Sequence, residues 1–154
     1  PTSDYEKLFA HARAEGIPFT IHAGEAAGPE SIRQAVDYGT ARIGHGVNCI
    51  HDKNLMNIIA EKGITLELCP TSNLNTKIVN DIKDYPIDKI INNKIKATIN
   101  TDNMTVSGTD EASEMKLICD TFGYDGNMRR IFVNNAIDAA FLSDEMKEKL
   151  RGNL

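Results

Sequence analysis

The sequence predicts an α/β chain: four parallel strands with outer helices, followed by further helices at the C-terminal end. Three observations carry this. Short strand-like runs alternate with helical patterns between residues 17 and 99, and such alternation calls for a parallel sheet with right-handed crossovers. No low-complexity linker or break in composition divides the chain, so 1–154 reads as a single domain. Each of the four strands also ends in polar residues: His22 and Glu25, then His45, then Ser72 and Asn73, then Asp102 and Asn103. Active groups collected from the C-terminal ends of successive strands are the habit of the (β/α)8 barrel, of which four strands make half.

Ser3-Asp4-Tyr5-Glu6 has the form of a capping box, with Ser3 placed to bond the amide of Glu6. Leu8, Phe9 and Ala12 supply the buried face of the first helix and Gly16 its stop. The first strand is expected at 17–22, where Phe19 and Ile21 suit a half-buried pleated surface. Gly28-Pro29-Glu30 opens the second helix, since proline loses nothing at the first helical position. Ile32, Ala35 and Val36 line that helix and Gly39 ends it.

Arg42-Ile43 is a short strand running into Gly44-His45-Gly46. Asp52 caps a helix to about Lys62, with Leu55, Met56, Ile58 and Ile59 inward. After Gly63, Ile64–Leu68 alternates as a strand and breaks into Cys69-Pro70-Thr71-Ser72-Asn73, read as a polar loop. An irregular stretch leads to a short helix over Pro86–Ile91. Lys96–Ile99 is the fourth strand and delivers Asn100-Thr101-Asp102-Asn103. Helices are expected over 109–121, over 125–140, and from Ser143, the last acidic at its start and basic at its end.

Composition narrows the function classes. A net charge of -5 and a pI near 5.3 offer no basic surface for nucleic acid or anionic lipid. No apolar run approaches the roughly 20 residues that span a bilayer. Pro1-Thr2-Ser3 leads straight into an amphipathic helix, so no signal peptide is expected. Cys49, Cys69 and Cys119 are odd in number and widely spaced, which fits reduced thiols and a cytoplasmic protein.

His22 and Asp102 are the candidate metal ligands, since imidazole nitrogen and carboxylate oxygen both bind zinc at about 2.0–2.2 Å. Glu25, three residues after His22, is placed for proton transfer, with Gly24 letting the backbone turn between them. His45 is placed to polarise a water or stabilise developing charge, and Gly44 and Gly46 beside it permit close backbone approach. His11 and His51 read as bystanders on helices. Cys69 reads as structural, because nothing local lowers its pKa.

His22-Ala23-Gly24-Glu25, Gly44-His45-Gly46, Cys69-Pro70-Thr71-Ser72-Asn73 and Thr101-Asp102-Asn103, in this order, closely resemble motifs of the adenosine deaminase family of metal-dependent amidohydrolases. The resemblance covers nearly the whole chain and implies the C-terminal half of a zinc-containing (β/α)8 barrel that hydrolyses adenosine to inosine and ammonia. It makes His22 and Asp102 the Zn2+ ligands and Glu25 the acid that protonates purine N1. It also makes His45 the residue that orients or deprotonates the water attacking C6, and puts Gly24 and Asn103 at the substrate. Asn103 stands where the family usually has a second aspartate facing purine N7, and an amide can donate there directly.

The family's paired His-x-His ligands have no counterpart here, so the missing N-terminal half of the barrel, or self-association, is the expected partner besides a purine nucleoside. Adenine or another 6-aminopurine as substrate, and a non-catalytic half-barrel that serves as an interaction module, are the alternatives.

Overall fold

The computed structural model describes residues 2–153, with side chains described from Asp4 onward. The expected Ser3 cap lies outside the described side chains. Among the described residues the elements run in the order α1 (Glu6–Ala14), β1 (Thr20–Ala23), α2 (Pro29–Asp37), β2 (Arg42–His45), α3 (Lys53–Glu61), β3 (Thr65–Leu68) and α4 (Pro70–Asn75). The chain continues through α5 (Ile87–Asn92), β4 (Ala97–Ile99), α6 (Met104–Ser107), α7 (Glu111–Phe122), α8 (Gly126–Ala139) and α9 (Asp144–Arg151).

The strands form one parallel sheet in the order β1-β2-β3-β4, with Ile21 beside Ile43, Ile43 beside Leu66, and Leu66 beside Ala97. Parallel strands laid side by side in chain order with helices between them make half the wall of a (β/α)8 barrel. β1 and β4 are its two edges.

Successive side chains on a strand point to opposite faces. The register therefore puts Ile21, Ile43, Leu66, Leu68 and Ile99 on one face, and Thr20, His22, Arg42, Gly44, Glu67 and Thr98 on the other. The first face is the core. It packs against Ile32, Leu55, Ile59 and Ile90 of the helices, and each large side chain buried there stabilises by about 1.5–3 kcal/mol.

Half a barrel does not leave the strand hydrophobics bare. Instead Ile21, Ile43, Leu66 and Ile99 are all at most 5% exposed, and Phe19 stacks on Phe9 at 5.2 Å. The face looking into the barrel is polar. There the Thr20 hydroxyl donates to Glu67 Oε2 at 2.8 Å, Arg42 Nε lies 3.1 Å from Glu67 Oε1, and the Arg42 guanidinium sits 3.8 Å over the Phe141 ring.

Most helices start and stop where their residues require. Asp52 accepts from Leu55 N at 3.0 Å and opens α3, and Asp125 and Ser143 cap α8 and α9. Two departures matter. The first helix has no buried residue and Leu8 is 59% exposed, because only Phe9 finds partners, in Phe19 and Tyr38. The second is at Cys69–Asn73, expected as a loop, which instead enters α4. Pro70 takes the first turn, where its absent N–H is no loss, and Asn73 N closes that turn on Cys69 O at 3.0 Å. Ser72 and Asn73 are buried and bonded to other side chains, so they do not compete for the backbone as polar loop residues do.

Candidate active site

Three groups from three strand ends converge. His22 near the end of β1, His45 at the end of β2 and Asp102 after β4 each offer a ligand atom within 4.8 Å of the others. The backbone helps to aim two of them. His45 has φ of 64° and Asp102 of 57°, a left-handed conformation that is strained for side chains other than glycine and recurs at functional sites. Gly44 makes room for the third: a Cβ there would lie 3.1 Å from atoms of the His22 ring.

Glu25 sits in the loop after β1, with Oε2 3.5 Å from His45 Nε2 and Oε1 within 3.5 Å of the Thr76 hydroxyl. Gly24 turns the chain into this loop with φ of 67°, and a Cβ there would fall 2.2 Å from Ile32 Cδ1. Asn48 holds the loop from below. Its side-chain amide donates to Glu25 O at 2.8 Å and its backbone N–H to Gly24 O at 3.1 Å.

Beneath these groups lies a set of supports. Ser72 Oγ donates to Asp102 Oδ2 at 2.6 Å. The neighbouring Asn73 places its amide nitrogen 3.2 Å from His45 Nδ1, and its amide oxygen accepts from Tyr85 Oη at 3.0 Å. Glu114, fully buried on α7, accepts from Thr71 N at 3.0 Å at the start of α4, and its Oε1 has no partner among the described residues. Burial, then the carboxylates of Asp102 and Glu114, push the Cys69 thiol up to about 12, so it stays protonated as a structural cysteine does.

His22, Glu25, His45 and Asp102 are thus brought together, with Ser72 and Asn73 beside them. His11 and His51 stay exposed and outside the cluster. Asn103 is also exposed; its Oδ1 caps α6 by accepting from Val106 N at 2.9 Å. Sequence reasoning missed Asn48, Tyr85 and Glu114. Asn48 follows the Gly44-His45-Gly46 motif closely, which is a usable signal. Tyr85 sits in a stretch read as irregular and Glu114 in a run of helix charges, so neither carries a local mark.

A cleft of about 430 Å³ borders the site on the side of β1 and α2, lined by His22, Gly24, Glu25, Glu30, Ser31 and Gln34. The donor set fits a zinc-type ion. One exposed imidazole and one carboxylate, whose second oxygen is already held by Ser72, suit a tetrahedral nitrogen and oxygen site that keeps a position open.

The parallel half-wall with histidine and carboxylate groups at its C-terminal strand ends defines a hydrolase class, the (β/α)8-barrel amidohydrolases. Solved structures of that kind share the fold. An adenine deaminase from Arthrobacter aurescens superposes with a TM-score of 0.92 at 24% identity, over 97% of this chain and 46% of that one. An amidohydrolase from Burkholderia ambifaria with bound Zn gives 0.89 at 27% identity, over 99% and 43%.

Within that class the chain belongs to the adenosine deaminase family, whose sequence model matches residues 1–154. It is 43% identical over 153 residues to the adenosine deaminase of Haemophilus ducreyi, covering 99% of this chain and 44% of that protein. The chain therefore spans about half the length of the curated relatives it matches.

Proposed function

We propose that this chain supplies one flank of the active site of a zinc-dependent hydrolase that converts adenosine and 2′-deoxyadenosine to their inosine counterparts and ammonia. The observation that supports it most is the convergence of His22, His45 and Asp102 with Glu25 beside them, on a chain 43% identical to an adenosine deaminase. The adenine deaminase likeness, at 24% identity, speaks to the fold alone.

His22 and Asp102 would hold the metal. When bound, such an ion supplies Lewis-acid chemistry, bringing the pKa of a water down toward about 7. The chain's own residues do the rest. Glu25 passes a proton to purine N1, which draws electrons from C6 and opens it to attack. Water bonds its oxygen to C6 and gives one proton to the amino group, the C6–N bond breaks so that ammonia leaves, and the proton remaining on O6 returns to Glu25. His45 and Asp102 hold the attacking oxygen on one face of the ring by hydrogen bonding. Asn103, whose amide oxygen takes the helix cap and leaves its NH2 group over, would donate to N7.

The test is a comparison of kcat/KM for adenosine, 2′-deoxyadenosine and adenine in the full-length protein, with metal content measured alongside. Nucleoside turnover that is lost on chelation and restored by zinc is expected. A preference for free adenine, or turnover indifferent to metal removal, would overturn the reading.

A further inference from the structure

Asn73 and Tyr85 form a buried chain behind His45. His45 is 1% exposed, Asn73 0% and Tyr85 2%, so water does not reach these bonds and each hydrogen has to be placed. An amide nitrogen only donates and an amide oxygen only accepts, so the orientation of the Asn73 amide decides which nitrogen of His45 is bare.

The Tyr85 hydroxyl fixes that orientation. Burial, above all, pushes its pKa well above the ordinary value, so it keeps its hydrogen. That hydrogen therefore needs an acceptor, and Asn73 Oδ1 at 3.0 Å is one. Were the amide turned over, its NH2 would face the phenol oxygen and the phenol hydrogen would lose that acceptor. With Oδ1 toward Tyr85, Nδ2 donates to His45 Nδ1 at 3.2 Å.

We propose that Asn73 and Tyr85 are positioning residues that hold neutral His45 as the tautomer with its hydrogen on Nε2, the nitrogen facing Glu25. His45 then offers the site a donor. It orients the attacking oxygen and stabilises charge growing there, and it leaves Nε2 out of the metal's ligand set. This settles the choice that the sequence leaves between orienting and deprotonating the water. It rests on the function proposed above for its catalytic consequence only; the tautomer itself is independent of substrate.

The experiment is NMR of the full-length protein labelled with ring-15N histidine, the His45 signals being identified by their loss in His45→Gln. In the wild type, Nδ1 should resonate as a bare ring nitrogen and Nε2 as a protonated one. Asn73→Asp replaces the donor by an acceptor and should reverse the pattern, with kcat falling about 10²-fold while KM stays within about twofold, as for loss of one aligned donor. Tyr85→Phe frees the amide to turn and should give a mixture of tautomers, which keeps the test available if Asn73→Asp does not fold. A wild-type protein with its hydrogen on Nδ1, or a pattern unmoved in Asn73→Asp or in Tyr85→Phe, would overturn the assignment whether or not the protein deaminates adenosine.

Discussion

At the scale of single residues, Glu25 is the sharpest test of the proposed chemistry. It is half-buried at the mouth, and its carboxyl lies 3.5 Å from both His45 and Thr76. Glu25→Gln keeps the shape and removes the proton donor, so kcat in the full-length protein should drop by about 10²–10⁴-fold with KM little changed. Steady-state kinetics decide it, and near-normal turnover would remove Glu25 from the role. Gly44 gives a second test, through metal affinity. A methyl group there would press on the His22 ring from 3.1 Å, and disturbing a ligand's orientation typically lowers metal affinity by about 10–100-fold. Gly44→Ala should therefore bind zinc about tenfold more weakly in a competition titration while folding nearly as well. The sequence marked Gly44 and Gly46 as positions of close approach. It could not say that His22 was what approached.

Among the elements, the helix caps predict how the chain answers to acid. Asp52, Asp110 and Asp125 open α3, α7 and α8, and each has its pKa held below the ordinary carboxylate value. The leading causes are the N–H of Leu55 for Asp52, the Ser113 side chain for Asp110, and the N–H of Met128 for Asp125. A depressed folded pKa contributes stability that is present above the unfolded value and lost as pH falls through the folded one. Stability should thus decline below about pH 4. Thermal unfolding at neutral pH and at pH 3 should show a smaller loss in a triple Asp→Asn variant, because asparagine still caps without titrating. Equal losses would rule the caps out as the acid-sensitive groups.

These capped helices were also the most legible elements. Asp52, Asp125 and Ser143 announce their helices by residue type, and Ile32, Ala35 and Val36 lie at helical spacing on the face that is buried. What stayed hidden was α4, whose polar inward residues imitate a loop, and the supports Tyr85 and Glu114, which reach the site only through tertiary folding.

For the whole molecule, the sheet's two edges and the sides of the helices beside them decide how the chain behaves alone. β1 and β4 have unpaired outer edges within the described residues. Tyr5, Leu8 and Ile17 are exposed before β1, as are Met104 and Val106 beyond β4, at 55–79% of their surface. Open strand edges flanked by apolar side chains invite pairing. Expressed by itself, residues 1–154 should self-associate in sedimentation, and Leu8→Lys with Val106→Lys should reduce it. A clean monomer would show that these surfaces do not drive association. The barrel-facing side is not the cause, since it carries Thr20, Arg42 and Glu67 already bonded to one another. Zinc should be held weakly by the isolated chain, as His22 and Asp102 fall short of the three protein ligands usual in a catalytic zinc site.

Ser72 and Asn73 stand side by side on α4, one gripping Asp102 and the other reaching His45. A shift of that one helix turn moves the Asp102 carboxylate and the His45 imidazole together. For a lineage under selection, α4 is then a single hinge of variation: a substitution that retunes one side of the reaction arrives with a change on the other. In a double-mutant cycle, Ser72→Ala and Asn73→Ala should be strongly non-additive in kcat, with the second substitution doing little further harm once the first has loosened the turn.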